Sequence, residues 1–121
     1  MPLYLTQVAY TQESWQTLIN NPQDRMDAIR PAIEHLGGKI VNGYFAFGDY
    51  DIVAITEMPD AVSAAAIAIA FAAGGSCKAV KTTPLLTTAE GIDALRKAAE
   101  SGYRPVNTTA SAAAAGIKRT Y

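Results

Sequence analysis

The most distinctive cluster of chemically reactive side chains in the sequence is the tetrapeptide Gly48-Asp49-Tyr50-Asp51. Two carboxylates flank a phenol there, and each carboxylate can raise the pKa of the other. Such a group could act as a general acid and base, or bind a cation. The same residues are also typical of a tight hairpin turn, because Gly and Asp supply its backbone angles and local hydrogen bonds. The sequence leaves both interpretations open.

His35 is the one imidazole of the chain, and it stands between Glu34 and a pair of glycines. Those glycines are expected to end a helix, whose dipole would stabilise the imidazolium and favour a structural or solvent-exposed role. If the ring points into the fold instead, it could act with Tyr44 or Asp51 to deprotonate a phenolic or enolic substrate. His35, Tyr44 and Asp51 are therefore the candidate catalytic residues.

Tyrosines recur in the predicted strands or at their ends, at positions 4, 10, 44 and 50. A ring with a polar hydroxyl suits an apolar ligand pocket, but it suits a subunit interface equally well. We take Tyr4, Tyr10, Asp49 and Tyr50 as candidate residues for binding a small apolar or aromatic ligand.

Several other kinds of site are not indicated. A single Cys cannot form an intrachain disulfide, and Cys77 follows a helix instead of preceding one, so no helix N-terminus activates its thiol. No set of His, Asp and Glu has the spacing of metal ligands, and no phosphate-binding loop or nucleophile elbow is present. We therefore expect neither a metal nor a cofactor.

The periodicity of apolar residues predicts the elements that would position these side chains. Alternation predicts strands over residues 3–10, 39–47, 51–58 and 77–86. Helical spacing and caps predict helices after Thr11, from Pro22 with Asn21 as its cap, from Pro59 to about Ala73, and after Thr87. This order predicts an α+β, ferredoxin-like β-α-β-β-α-β fold with an antiparallel sheet and an extra C-terminal helix.

Two apolar surfaces in this arrangement predict self-association. The helix over residues 61–73 contains one polar residue, Ser63, and therefore has no face suited to water. The sheet face without helices would carry Tyr, Ile, Val and Phe side chains. Both surfaces are expected to be covered by further copies of the chain, as in a homo-oligomer.

The distribution of charge bears on partners and location. A net charge of −1 and a pI near 5.7 argue against nucleic acid as a partner. The longest apolar run, residues 64–75, is too short to span a bilayer, and the N-terminus lacks the basic segment of a secretory signal. We expect a cytoplasmic protein that binds neither nucleic acid nor membrane.

The last residues differ in composition from the rest of the chain. Residues 103–121 contain Arg104, Lys118 and Arg119 but no acidic residue. They are predicted to form an Ala-rich basic tail outside a domain of residues 1–102, either flexible or docked on the acidic body of a neighbouring copy.

Residues 48–51, the strand-like segment 52–60 and the Ala run that follows resemble the GYD domain family, which is named for a Gly-Tyr-Asp signature. Here an Asp separates Gly48 from Tyr50. The resemblance covers about residues 3–100 and extends to three further segments: Tyr10-Thr11, Pro22-Gln23-Asp24-Arg25 and Leu36-Gly37-Gly38-Lys39-Ile40.

The resemblance implies the dimeric α/β-barrel group, in which two ferredoxin-like protomers pair their sheets. The family itself is essentially of unknown function, and its wider relatives include cofactor-independent oxygenases, isomerases, decomposing enzymes and effector-binding modules. The leading hypothesis is a homo-oligomeric assembly or small-ligand-binding module of unknown activity. The alternative is a cofactor-free oxygenase or isomerase that acts on a small aromatic or enolic compound, with His35, Tyr44 and Asp51 as its catalytic residues.

Overall fold

The computed structural model of the protein describes residues 1–106. Lys118 and Arg119, and with them most of the predicted basic tail, lie outside the described residues. Residues 103–106 belong to no helix or strand.

Within residues 1–106 the chain forms four strands and four helices. The strands are β1 Leu3–Tyr10, β2 Lys39–Phe45, β3 Ile52–Glu57 and β4 Cys77–Leu85. The helices are α1 Gln12–Asn20, α2 Arg25–His35, α3 Ala61–Ala73 and α4 Thr88–Glu100. None of these helices is long and apolar enough to cross a membrane.

The four strands form one antiparallel sheet in the order β2-β3-β1-β4. Strands that are consecutive across a helix are separated by one strand in between, which is the split βαβ arrangement. The predicted ferredoxin-like α+β fold is therefore confirmed. β4 lies at an edge, where Pro84 is tolerated because its missing N–H breaks no hydrogen bond to a further strand.

Local signals at the helix starts are mostly confirmed. The side chain of Thr11 accepts a hydrogen bond from the Ser14 backbone N–H, and Thr87 and Glu90 form the predicted capping box. The prediction that Asn21 caps α2 is wrong. Asp24 is the cap, because its carboxylate accepts from the backbone N–H of Met26 at 2.8 Å and α2 begins only at Arg25.

The structure divides into two compact units, one from Met1 to Leu86 and one that begins at Thr87 and contains α4. In the first unit the core lies between the sheet and the helices. Its larger cluster consists of Tyr4, Ile33, Ile40, Met58, Ala64 and Ile67. A smaller cluster of Val8, Tyr10 and Ile52 packs against Trp15 of α1. The helices α1, α2 and α3 therefore all pack on the same face of the sheet.

The turn after α2 has no space for a side chain. Gly37 has a φ of 86°, and the N–H groups of Gly37 and Gly38 donate to the carbonyl oxygens of Glu34 and Ile33 at 2.9 and 3.0 Å. This is the Schellman pattern of a helix end. A Cβ on Gly38 would lie 2.5 Å from the Glu57 carbonyl oxygen and closer still to the Met58 sulfur. The two glycines allow β2 to start directly against the end of β3.

The first prediction concerns this turn. Gly38→Ala should lower the free energy of unfolding by about 2 kcal/mol or more, because the added methyl group overlaps a backbone oxygen that cannot move alone. Urea unfolding followed by circular dichroism measures the change. Gly91→Ala, inside α4 and with no atom within 4 Å of the new Cβ, is the control and should be neutral or stabilising by up to about 1 kcal/mol. Equal stability of Gly38→Ala and the unaltered protein would contradict the prediction.

Candidate functional site

Four chain segments meet at one edge of the first unit. β1 ends at Tyr10, which pairs with Cys77 at the start of β4, and Val8 pairs with Ile52 at the start of β3. The start of α2 reaches the same edge, since Arg25 lies close enough for its charge to act on the Tyr10 phenol. The antiparallel topology thus gathers side chains that are far apart in sequence.

Asp51 fixes the junction between β1 and the β2–β3 hairpin. Its backbone N–H donates to the Val8 carbonyl oxygen at 2.7 Å, and its carboxylate accepts from the Tyr10 backbone N–H at 2.8 Å. Its own carbonyl oxygen accepts from the Ala46 N–H at 2.9 Å. Asp51 therefore extends the sheet beyond the last regular pair of β1 and β3. On that side of β1, its carboxylate replaces the backbone acceptor that a longer β3 would offer to Tyr10.

A second set of hydrogen bonds holds α1 on the loop between α3 and β4. The carbonyl oxygen of Ser76 accepts from the Thr11 backbone N–H at 3.1 Å and from the Ser14 hydroxyl at 2.8 Å. These bonds set the width of the opening between α1 and that loop.

Two adjoining cavities open at this edge. The first, which we call the hydroxyl cleft, has a volume of about 350 Å³ and is lined by Thr11, Glu13, Ser14 and Thr17 among others. The second, the apolar cleft, has a volume of about 190 Å³ and is lined by Met26, Ile29, Ile52, Phe71 and Cys77 among others. Both cavities share four residues at their junction: Tyr10, Arg25, Gly74 and Ser76.

Tyr10 lies at the centre of this junction. Its ring meets Trp15 edge to face, with the ring centroids 5.4 Å apart and the planes at 88°. Burial raises the pKa of the Tyr10 phenol, and the hydrogen bond and charge of Arg25 offset part of that shift. The phenol is therefore a neutral hydrogen-bond donor at physiological pH.

Arg25 is the cation of the junction. The residue is half-buried, and its guanidinium donates to the Gln23 side-chain oxygen at 2.8 Å. Within residues 1–106 no carboxylate forms an ion pair with it. A guanidinium has five N–H donors, so the side chain has unused capacity to bind an anion.

Cys77 borders the apolar cleft and is half-buried. Burial raises the pKa of its thiol, and the nearby charge of Arg25 offsets part of the shift. A raised pKa leaves less thiolate at neutral pH, which does not suit a nucleophile.

The residues predicted as a catalytic set have different surroundings. His35 is exposed at the last position of α2, and Tyr44 is 62% exposed on β2. Asp51 accepts from the Tyr10 backbone as described above. Within residues 1–106 no hydrogen bond joins any two of His35, Tyr44 and Asp51. Their role in catalysis stays a prediction.

The residues predicted to bind a ligand also separate. Tyr10 lines both cavities, whereas Tyr4 is buried in the larger core cluster. Asp49 is exposed and Tyr50 half-buried in the loop between β2 and β3. No cluster of three or more potential metal ligands occurs in the described part of the chain.

Sequence reasoning missed Arg25 and Ser76 at the junction. In the sequence, the segment Pro22-Gln23-Asp24-Arg25 is distinguished only by its resemblance to the GYD domain family. A topological signal was available, because in the predicted fold the end of β1 and the start of β4 lie at the same sheet edge. No local pattern places the start of α2 beside them.

A second candidate surface is the sheet face opposite α1, α2 and α3, which we call the open face. The register places Leu5 beside Ile55 and Thr83, and Gln7 beside Val53 and Lys81. Further along, Leu3 lies beside Glu57 and Leu85, and Tyr44 lies beside Val53. The open face therefore carries a group of neighbouring apolar side chains, Leu5, Val53 and Ile55, with polar side chains such as Gln7, Lys81 and Thr83 beside them.

Comparison with known proteins places these features in a family. The model of the GYD domain matches residues 4–95. A protein of Thermus thermophilus, named "Glutamine synthetase and cystathionine beta-lyase binding protein", is 30% identical over 79 residues, which cover 64% of this chain and 82% of that protein. No solved structure matches.

The second prediction tests the structural role of Asp51. Asp51→Ala should lower the free energy of unfolding by about 1–2 kcal/mol, because the Tyr10 N–H loses its acceptor. Asp51→Asn keeps an acceptor oxygen and should lose less. Asp49→Ala is the matched control, since that exposed carboxylate makes no side-chain hydrogen bond within residues 1–106, and it should change stability by no more than about 0.5 kcal/mol. If Asp49→Ala costs as much as Asp51→Ala, the role assigned to the bond to Tyr10 is wrong.

The third prediction concerns the thiol of Cys77. Its alkylation by iodoacetamide should show a pH midpoint above that of the same cysteine in the urea-unfolded chain, because burial raises its pKa in the folded state. Folding stability linked to this group is therefore present below the unfolded pKa and is lost as pH rises through the folded pKa. Rates measured by mass spectrometry across about pH 7–11 test the shift. A native midpoint at or below the unfolded one would contradict it.

Proposed function

The chain belongs to the GYD domain family, and from that premise we propose that it is a small binding module that assembles with further copies of itself and docks on a protein partner. The observation that carries the proposal is the apolar group on the open face of the sheet. Its neighbouring strands β1 and β3 present Leu5, Val53 and Ile55, all half-buried in the single chain.

A second copy of this chain is the occupant we propose for the open face. Neighbouring apolar side chains such as Leu5, Val53 and Ile55 suit the buried centre of an interface, which is more apolar than its rim. Polar residues border this group, including the Lys39–Glu57 pair with its charged atoms 3.9 Å apart. An apolar centre with a polar rim is the anatomy of a protein interface, and a twofold axis would let the same patch cover itself. Pairing of sheets is also what the resemblance to the dimeric α/β-barrel group implies.

Other exposed apolar side chains support contacts beyond one pair of chains. On α3, Val62 and Ile69 are 79% and 67% exposed, although Ala64 and Ile67 of the same helix are buried. α3 thus buries one side and leaves a second apolar side without cover in the first unit. On α4, Leu95 is 71% exposed.

The proposed protein partner follows from the named relative. That protein of Thermus thermophilus is named for binding two enzymes. We propose that this chain also binds a larger protein, with the outer side of α3 around Val62 and Ile69 as the contact. This surface is separate from the open face, so self-association leaves it free.

Several expectations from the sequence stay predictions. They include a cytoplasmic location, the division into residues 1–102 and a tail of residues 103–121, and the docking of that tail through Arg104, Lys118 and Arg119. A cofactor-free oxygenase or isomerase also stays the alternative, because the described contacts of His35, Tyr44 and Asp51 offer nothing that favours it.

The fourth prediction tests self-association through the open face. Ile55→Lys should weaken association by about a hundredfold or more, because it places a charge in a desolvated interface. The unaltered protein should have a mass that is a multiple of 12.8 kDa, and the variant should shift to the single-chain mass. Size-exclusion chromatography with light scattering measures both.

Ile19→Lys is the matched control, since Ile19 is 73% exposed on α1, away from the open face. It receives the same charge and should keep the mass of the unaltered protein. If circular dichroism shows that the Ile55→Lys variant is unfolded, the Tyr44→Lys variant is used in its place. Tyr44 is largely exposed, so a lysine there should not disturb the fold. A single-chain mass for the unaltered protein at micromolar concentration, or an unchanged mass for both open-face variants, would overturn the proposal.

A further inference from the structure

The junction between the hydroxyl cleft and the apolar cleft combines an apolar cavity with Arg25, a cation that forms no ion pair within residues 1–106. We propose that it binds a small monocarboxylate that carries one aromatic or branched apolar group. The carboxylate lies on Arg25 at the junction, and the apolar group enters the apolar cleft. This ligand site goes beyond the proposed function and uses no residue of the open face.

Arg25 selects the charge of the ligand. Arg25 is half-buried, its guanidinium donates to the neutral Gln23 amide oxygen and lies near the Tyr10 phenol, and it forms no ion pair with a carboxylate within residues 1–106. A cation without an anionic partner can form a new ion pair with an incoming anion. A cation already paired with a carboxylate would first have to give up that pair. The planar fork of a guanidinium matches the two oxygens of a carboxylate.

Hydroxyl groups at the junction complete the polar end of the site. Tyr10 and Ser76 line both cavities. The Tyr10 phenol stays protonated because burial raises its pKa, so it can donate to a carboxylate oxygen. The Ser76 carbonyl oxygen is already occupied by Thr11 and Ser14, which keeps this part of the loop in place.

The apolar cleft selects the body of the ligand. Its walls include Met26, Ile29 and Phe71, and its volume is about 190 Å³. A dry apolar cavity of about 150 Å³ accommodates benzene. One phenyl ring or one branched alkyl group therefore fits, and a nucleotide or a lipid tail does not.

The Glu13 carboxylate disfavours the binding of anions with more than one negative charge. It is exposed and lines the hydroxyl cleft, but it does not line the apolar cleft. A phosphate or dicarboxylate would meet one cation and this carboxylate together. A monoanion placed at the junction, with its apolar end directed away from Glu13, avoids the repulsion.

The test uses 3-phenylpropionate as the probe, with the neutral 3-phenylpropanamide and acetate as comparison compounds. Calorimetry gives the affinity, and Cys77, the one cysteine of the chain, reports occupancy of the apolar cleft through its alkylation rate. The probe should slow alkylation at least about fivefold at saturation. The amide should bind at least about tenfold more weakly than the acid, because it lacks the negative charge. Acetate should bind without slowing alkylation.

Variants distinguish a specific contribution of Arg25 to binding from a general effect of positive charge on the protein. Arg25→Gln should weaken binding of the probe at least about tenfold, and Arg25→Lys should fall in between. Arg30→Gln is the matched control on the same helix, since Arg30 pairs with Asp27 at 3.6 Å, and it should bind within about twofold of the unaltered protein. Ala70→Phe adds bulk at an exposed position that lines the apolar cleft, and it should abolish protection of Cys77.

Three results would overturn the inference. They are no binding of 3-phenylpropionate to the unaltered protein up to about 10 mM, equal binding of the acid and its amide, and equal weakening by Arg25→Gln and Arg30→Gln. Ile55→Lys should retain binding of the probe even if it dissociates the assembly. Failure of the ligand site and failure of the assembly are thus separate outcomes.

Discussion

Successive side chains of a strand point to opposite faces of a sheet, and this alternation decides what each surface of the first unit can do. In β1, Tyr4, Thr6 and Val8 face the helices and are buried, whereas Leu5 and Gln7 face away and are half-buried. Three helices can cover only one of the two faces. The core, the two cavities and the open face all follow from that division, because the first unit has apolar residues on both faces of the sheet but packs its helices on one.

The same topology explains why polar chemistry collects at one edge. Regular pairing ends near Tyr10, where β1 is longer than its partner β3, and the unpaired N–H must find another acceptor. Asp51 supplies it, and the Ser76 carbonyl oxygen does the same for Thr11. The segments that bring these groups also bring Arg25 and Cys77. The segments that supply hydrogen-bond acceptors to the strand ends therefore also form a cavity with a charged end and an apolar interior.

Features set by neighbouring residues could be predicted from the sequence. The caps at Thr11 and Thr87 depend on side chains three residues away, and the strand β1 depends on simple alternation. Asp24 was missed as a cap because Asn21 and Pro22 offer an equally good local pattern, and only packing of Met26 against the core decides between them. The sequence predicts Tyr4 and Tyr10 alike as ligand residues, but their separation depends on which part of the helix layer lies above each ring. Arg25 depends on contacts across the whole fold, so no local spacing indicated it.

The proposed assembly depends on a second copy of the chain that covers the open face. The direct measurement is an isotope-filtered nuclear Overhauser experiment on a mixture of differently labelled copies of the unaltered protein. It should show intermolecular contacts from the methyl groups of Leu5, Val53 and Ile55. Intermolecular contacts that all arise from other surfaces, or none in a sample whose mass is that of a single chain, would contradict the claim.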